Sequence, residues 1–273
     1  MTSDKLQEKV IELFKKKLNK ESDFDLSYPL IPRISDSYMS NRMLVVGQKT
    51  NTWYKSNEKN DYHHFIESSI DKVFDDALTN RYDKFSKNSI EKYGGKFWEF
   101  QKKLYKENIL LNDIIEDGML SHCWINLFAM EACKNKKDDY GRPTKNENLR
   151  DHVLSLQKDL FYELLKLLQP KTIIFLTGHS LDSIVENGLG IKSGNMIKTK
   201  IIESLEVNKA CKISAKEDFL FKECNIIRLY HPSYFIAHIN TNKTLRSKLS
   251  SLGVEKSNAH FYTEEIMRYL NSI

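Results

Sequence analysis

The run Met43-Leu44-Val45-Val46 constrains the fold most. Four consecutive apolar residues, two of them β-branched, read as a short strand buried on both faces. Gly47 ends it, and Gln48-Lys49-Thr50-Asn51-Thr52 follow before Trp53. A buried strand that stops at glycine and releases polar groups is how an open α/β sheet presents chemistry at its carboxyl edge. Far downstream, Ile226-Ile227-Arg228-Leu229 reads as a second short strand, ending in the compact turn Tyr230-His231-Pro232-Ser233. Two such ends in one parallel sheet can face the same crevice.

Two more strands lie between them. His122 to Phe128 is apolar except for Asn126, and Thr172 to Thr177 runs into Gly178-His179-Ser180. Apolar residues at helical spacing mark helices over 4–20, 62–79, 97–105, 150–168 (stopped by Pro170) and 261–271. Glu21 to Arg42, with Pro29 and Pro32, reads as an ordered loop, and 188–225 carries a further strand or two near 197–205. Helix and strand in alternation predict a parallel sheet with right-handed crossovers. With no internal repeat and no low-complexity linker, residues 1–41 read as a helical extension packed on one α/β domain, 42–273.

Composition narrows the class. Hydrophobic residues at 40% and charged residues at 29% are globular proportions. No apolar run reaches a membrane-spanning length, and the N-terminus opens on a charged amphipathic pattern, which predicts a cytoplasmic protein without a leader. Cys123, Cys133, Cys211 and Cys224 form no close pair, so neither a zinc nor an iron–sulfur site is expected. A net charge of +5 permits a polyanionic partner without demanding one. Over 80–107, lysines alternate with aromatic residues, a composition suited to nucleic acid. The helical spacing of Phe97, Trp98, Phe100, Leu104 and Tyr105 instead favours a core role. Asn126 must find partners, because an unsatisfied buried amide costs about 1–3 kcal/mol. It bonds to backbone or offers a donor and an acceptor to a ligand edge.

Four pieces in order, each at an expected strand end or between helix and strand, carry a resemblance. They are Gly47-Gln48, Ile125-Asn126, Leu168-Gln169-Pro170-Lys171-Thr172-Ile173-Ile174-Phe175-Leu176-Thr177-Gly178 and Tyr230-His231-Pro232-Ser233. Together they resemble the uracil-DNA glycosylase superfamily over about residues 42–250. The resemblance implies a three-layer α/β/α sandwich with a short central parallel sheet. It implies a monomer that flips a uracil or modified pyrimidine out of DNA and hydrolyses its bond to deoxyribose, with neither cofactor nor metal. His231 would donate to the base's carbonyl oxygen as negative charge develops there. Asn126 would read the base edge, Gln48 would shape the pocket, and Trp53 or Phe65 would stack on the base. Ser233, Pro232, Gly178 and His179 would lie against the DNA, Ser233 on a phosphate.

One position departs from that pattern. Where the family often has Asp or Asn after Gly-Gln, this chain has Lys49. Three outcomes stay open. Asn51 or Asp61 orients the water; Lys49 is a nucleophile that forms a Schiff base; or the chain binds nucleic acid without catalysis. The Thr50-Asn51-Thr52-Trp53 stretch also replaces the usual pocket wall, leaving room for a modified base. A reading without DNA, a small-molecule hydrolase on the same sheet, has no Gly-rich phosphate loop to support it.

Overall fold

The computed structural model describes residues 1–49, 61–83, 96–107, 122–132, 142–203, 205–232, 247, 251 and 261–272. Helix α1 (Ser3–Lys17) is capped by the Thr2 hydroxyl, which accepts from the Lys5 N–H. Its buried stripe is Leu6, Val10, Ile11 and Phe14. Lys15 leaves that helix to donate to the carbonyls of Phe65 and Ile66 at 2.8 and 2.6 Å. Helix α2 (Asp36–Asn41) closes at Arg42, which takes the left-handed conformation (φ 55°) and turns the chain into β1 (Met43–Lys49).

The 62–79 stripe, expected as one helix, is three pieces: α3 (Asp61–Glu67), α4 (Ile70–Val73) capped by Ser69, and a π-helical segment Phe74–Asp83. Helix α5 (Lys96–Glu107) precedes β2 (Cys123–Phe128). The 150–168 stripe is likewise two helices, α6 (Glu147–Leu156) and α7 (Leu160–Leu168). The break falls where Asp159 adopts φ 60°. It leaves Gln157 to donate to the Leu127 carbonyl at 2.6 Å and to accept from the Ala129 N–H at 3.0 Å, so its amide saturates the end of β2. Strand β3 (Thr172–Phe175) leads through a short 3₁₀ turn into α8 (Asp182–Gly188). Strands β4 (Met196–Lys200), β5 (Ala210–Ala215) and β6 (Asn225–Leu229) and helix α9 (Phe261–Leu270) complete the described elements.

The strands form one sheet in the order β2-β1-β3-β6-β5-β4. The first four are parallel, whereas β5 and β4 run antiparallel at the β6 edge. The sheet is therefore six-stranded and mixed, wider than the short parallel sheet expected. Strand β4 meets the 197–205 stretch expected to hold an extra strand, although every residue from Ile197 to Lys200 is exposed. β5 falls at 210–215, beyond the 197–205 stretch assigned to extra strands.

Helices cover both faces, as a three-layer α/β/α arrangement requires. On one face Leu44, Val46, Ile173, Phe175 and Ile226 pack with the stripes of α1, α6, α7 and α8. On the other, Met43, Val45, Ile174, Leu176, Ile227 and Leu229 pack against Phe100 and Leu104 of α5 and Ile266, Met267 and Leu270 of α9. No helix among the described residues is long and apolar enough to cross a membrane.

Candidate functional site

Alternation along β1 places Met43, Val45, Gly47 and Lys49 on the α5/α9 face. Parallel register sets Gly47 opposite Asn126 and Lys49 opposite Phe128. Glycine at 47 is a steric requirement, because a β-carbon there would collide with the Asn126 side-chain oxygen. Asn126 is 6% exposed, and among the described residues neither its amide nitrogen nor its oxygen has a hydrogen-bond partner. An amide hidden this way forfeits about 1–3 kcal/mol, and such a group stands out in a folded protein. The Thr177 hydroxyl, fully buried at the end of β3, is in the same state.

His231 follows the end of β6. Its ring stacks on Phe97 of α5, with centroids 5.8 Å apart and planes inclined by 14°. Burial, and secondly the charge of Lys49, hold its pKa down at about 4. The imidazole is therefore neutral at pH 7 and keeps one N–H to donate. Trp98 meets Trp124 edge to face at 5.0 Å, and Phe97 meets the same indole at 5.9 Å. These rings form one aromatic wall between α5 and β2. Phe100 and Leu104 enter the core as their spacing predicts, and Phe97 and Trp98 are half-buried and pack against it.

Lys49 lies with its Nζ 3.9 Å from Oε2 of Glu131, a carboxylate just past the end of β2. Gln48, on the other side of β1, donates from Nε2 to the Thr177 carbonyl at 2.8 Å. Its side chain ties the end of β1 to the end of β3 and so shapes the edge instead of extending into it. Gly178 (φ 72°) sends its N–H to the Leu229 carbonyl at 3.0 Å, joining the ends of β3 and β6. The exposed His179 ring rests 5.6 Å from the half-buried ring of Tyr230, and Pro232 is buried.

The carboxyl edge thus gathers Gly47, Gln48, Lys49, Asn126, Gly178, His179, His231 and Pro232. Two expected site residues belong elsewhere. Both oxygens of Asp61 are held by Arg81 at 2.9 and 3.0 Å, with the carboxylate fully buried, so it does not stand open to a water. Phe65 is wholly buried, its ring edge-on to Tyr28 at 5.4 Å and covered by the Lys15 ammonium at 5.0 Å, so no base can stack on it. Asn51, Trp53 and Ser233 lie outside the described residues.

Sequence reasoning missed Glu131, because an isolated acid after an apolar strand carries no signal of its own. It expected Phe97 to pack as core, and the half-buried ring does pack against both core clusters while also stacking on His231.

The fold and this edge define the chain as an α/β protein with polar side chains gathered at the carboxyl ends of parallel strands. No protein-family model matches the sequence, and comparison with curated proteins gives no match. A separate cleft of about 390 Å³, lined in part by Leu154, Tyr162, Ser183 and Asn187, opens among α6, α7 and α8. It contains none of the residues gathered at the carboxyl edge. Among the described residues, no group of three or more His, Cys, Asp or Glu side chains converges as a metal site would require.

Proposed function

We propose that the chain is a DNA glycosylase of the uracil-DNA glycosylase type. It would excise uracil or a modified pyrimidine from a flipped nucleotide and leave an abasic site. The observation that carries this reading is the buried amide of Asn126, without a hydrogen-bond partner among the described residues and held against Gly47 at the same edge as His231. A planar heterocycle with adjacent donor and acceptor atoms satisfies both ends of that amide. A neutral imidazole donates to the carbonyl oxygen on which charge gathers as the glycosidic bond breaks. The strand order β2-β1-β3-β6, all parallel, with helices on both faces, supports the finer sandwich architecture that the resemblance implies.

The test is base release from duplex and single-stranded oligonucleotides carrying uracil, hypoxanthine, 5-hydroxymethyl or glucosylated pyrimidines. Wild type is compared with Asn126→Ala and His231→Ala. Release by the wild type that drops in both variants is the expected result. Intact DNA binding with no release from any substrate overturns the proposal.

A second reading keeps the fold and DNA binding without catalysis. It is favoured by Lys49, which stands where the family often has a water-positioning Asp or Asn. Its signature is salt-dependent DNA affinity that survives His231→Ala and yields no abasic sites.

A further inference from the structure

Lys49 sits one pleat beyond Gly47 on the same face of β1, at the carboxyl end of the strand. Its side chain is 13% exposed, and that of Glu131, 3.9 Å away, is 3% exposed. Ser27 fixes the Glu131 backbone from both sides. The Ser27 hydroxyl accepts from the Glu131 N–H at 3.1 Å, and the Ser27 N–H donates to the Glu131 carbonyl at 2.8 Å. Buried pairs contribute little net stability, and this one stands at the carboxyl ends of β1 and β2. At 3.9 Å the carboxylate stands just beyond hydrogen-bond reach and holds the resting lysine as its ammonium, so the proton must pass on closer approach. Passing the proton to the carboxylate leaves a nucleophilic amine.

We infer that Lys49 and Glu131 form an abasic-site lyase couple, in which the Lys49 amine condenses with the C1′ aldehyde of an abasic deoxyribose and Glu131 transfers the protons. The substrate rests on the glycosylase reading above, while strand cleavage is a second activity. Glu131 takes a proton from the Lys49 ammonium, and Nζ adds to C1′ to give a carbinolamine. The proton on Glu131 passes to the carbinolamine hydroxyl, which leaves as water as the iminium forms. The carboxylate, now free again, removes a proton from C2′. The C3′–O bond breaks, the 3′ phosphate departs with the electron pair and takes up the proton held by Glu131, and an unsaturated iminium remains. Water hydrolyses that iminium to the unsaturated aldehyde and returns Lys49. Nothing is oxidised or reduced.

The experiment uses the full chain and an oligonucleotide with one preformed abasic site, incubated with sodium borohydride and resolved on a denaturing gel. A tetrahydrofuran site, which has no aldehyde, is the control. Reduction of the iminium is expected to give a covalent protein–DNA adduct with the abasic oligonucleotide alone. Lys49→Ala and Lys49→Arg are expected to abolish it. Glu131→Gln slows its formation by about 100-fold, the scale of a lost general base. Lys49→Arg keeps the charge beside Glu131, so it decides the matter even if Lys49→Ala fails to fold, with circular dichroism reporting the fold of each variant. An adduct that persists undiminished in Lys49→Arg overturns the assignment. So does a wild type that forms no adduct, whether or not it binds abasic DNA. Base release without an adduct removes the lyase and leaves the glycosylase. An adduct without base release from any substrate keeps the lyase and removes the glycosylase.

Discussion

Gly47 and Asn126 face each other across the β1–β2 pair, and the space a β-carbon at 47 would occupy is filled by the Asn126 carbonyl oxygen. The glycine thus exists for the sake of a side chain on the neighbouring strand. Gly47→Ala is expected to push the Asn126 amide aside while leaving the fold intact, because the obstructing atom ends a rotatable side chain. On the glycosylase reading proposed above, base release should fall roughly 10- to 100-fold, the equivalent of losing one buried hydrogen-bonding contact of about 1–3 kcal/mol. Single-turnover kinetics check this, with the melting temperature as the control.

Asn126 costs stability in the absence of a ligand. Asn126→Leu, similar in size and without polar atoms, is expected to hold or raise the unfolding free energy, by about 1 kcal/mol, while eliminating base release. Urea denaturation measures the first effect and the oligonucleotide assay the second. A loss of stability would mean that the amide has partners in the folded chain.

The Asp61–Arg81 pair is structural. Asp61→Ala strands a buried guanidinium and should cost roughly 3–5 kcal/mol, seen as a fall in melting temperature on the order of 10 °C. Activity per folded molecule should not change. A drop in turnover with an unchanged melting temperature would return Asp61 to the catalytic machinery.

Two histidines make the fold acid-sensitive. Burial holds His122 at about 3, and burial with the Lys49 charge holds His231 at about 4, against an ordinary value of 6.5. Between those limits the unfolded chain binds protons that the folded chain refuses. Stability is therefore undiminished by these groups above pH 6.5 and falls as pH drops below it. Each histidine contributes a slope of at most about 1.4 kcal/mol per pH unit. Urea midpoints at pH 7, 6 and 5 test this. His122→Gln, which can keep a hydrogen bond to Gln101, should flatten the slope.

Lys49 can be read through His231. Lys49→Met removes the nearby positive charge, so the His231 pKa should rise from about 4. It should stay below 6.5, since burial is the larger cause. Titration of the imidazole resonances by NMR follows the shift directly. An unmoved pKa would place the ammonium out of range of the ring.

The parallel core was legible in the sequence because it rests on local pattern. The uninterrupted apolar runs at Met43–Val46 and Ile173–Leu176, short and bounded by glycine or proline signals, read as strands buried on both faces. The stripes of α1 and α7 declare the sides they bury. Strand β5 was not so legible, since Ala210–Ala215 mixes small, polar and apolar residues without clean alternation, whereas β4 met the expected 197–205 stretch. The breaks at Ser69 and Asp159 were also hidden, because an apolar stripe continues across a kink when both halves face the same core.

At the site, sequence alone determined which strand ends carry polar residues: Gly47-Gln48-Lys49, Asn126, Gly178-His179 and His231. Tertiary structure alone decided which of these share an edge and what state they are in. Register brought Gly47 to Asn126, residues 79 positions apart in the chain. The packing of α5 laid Phe97 on His231. The end of β2 delivered Glu131 to Lys49, while Asp61 was taken by Arg81. Periodicity reports which way a residue faces along its own element, whereas partners, burial and charge state depend on elements distant in sequence.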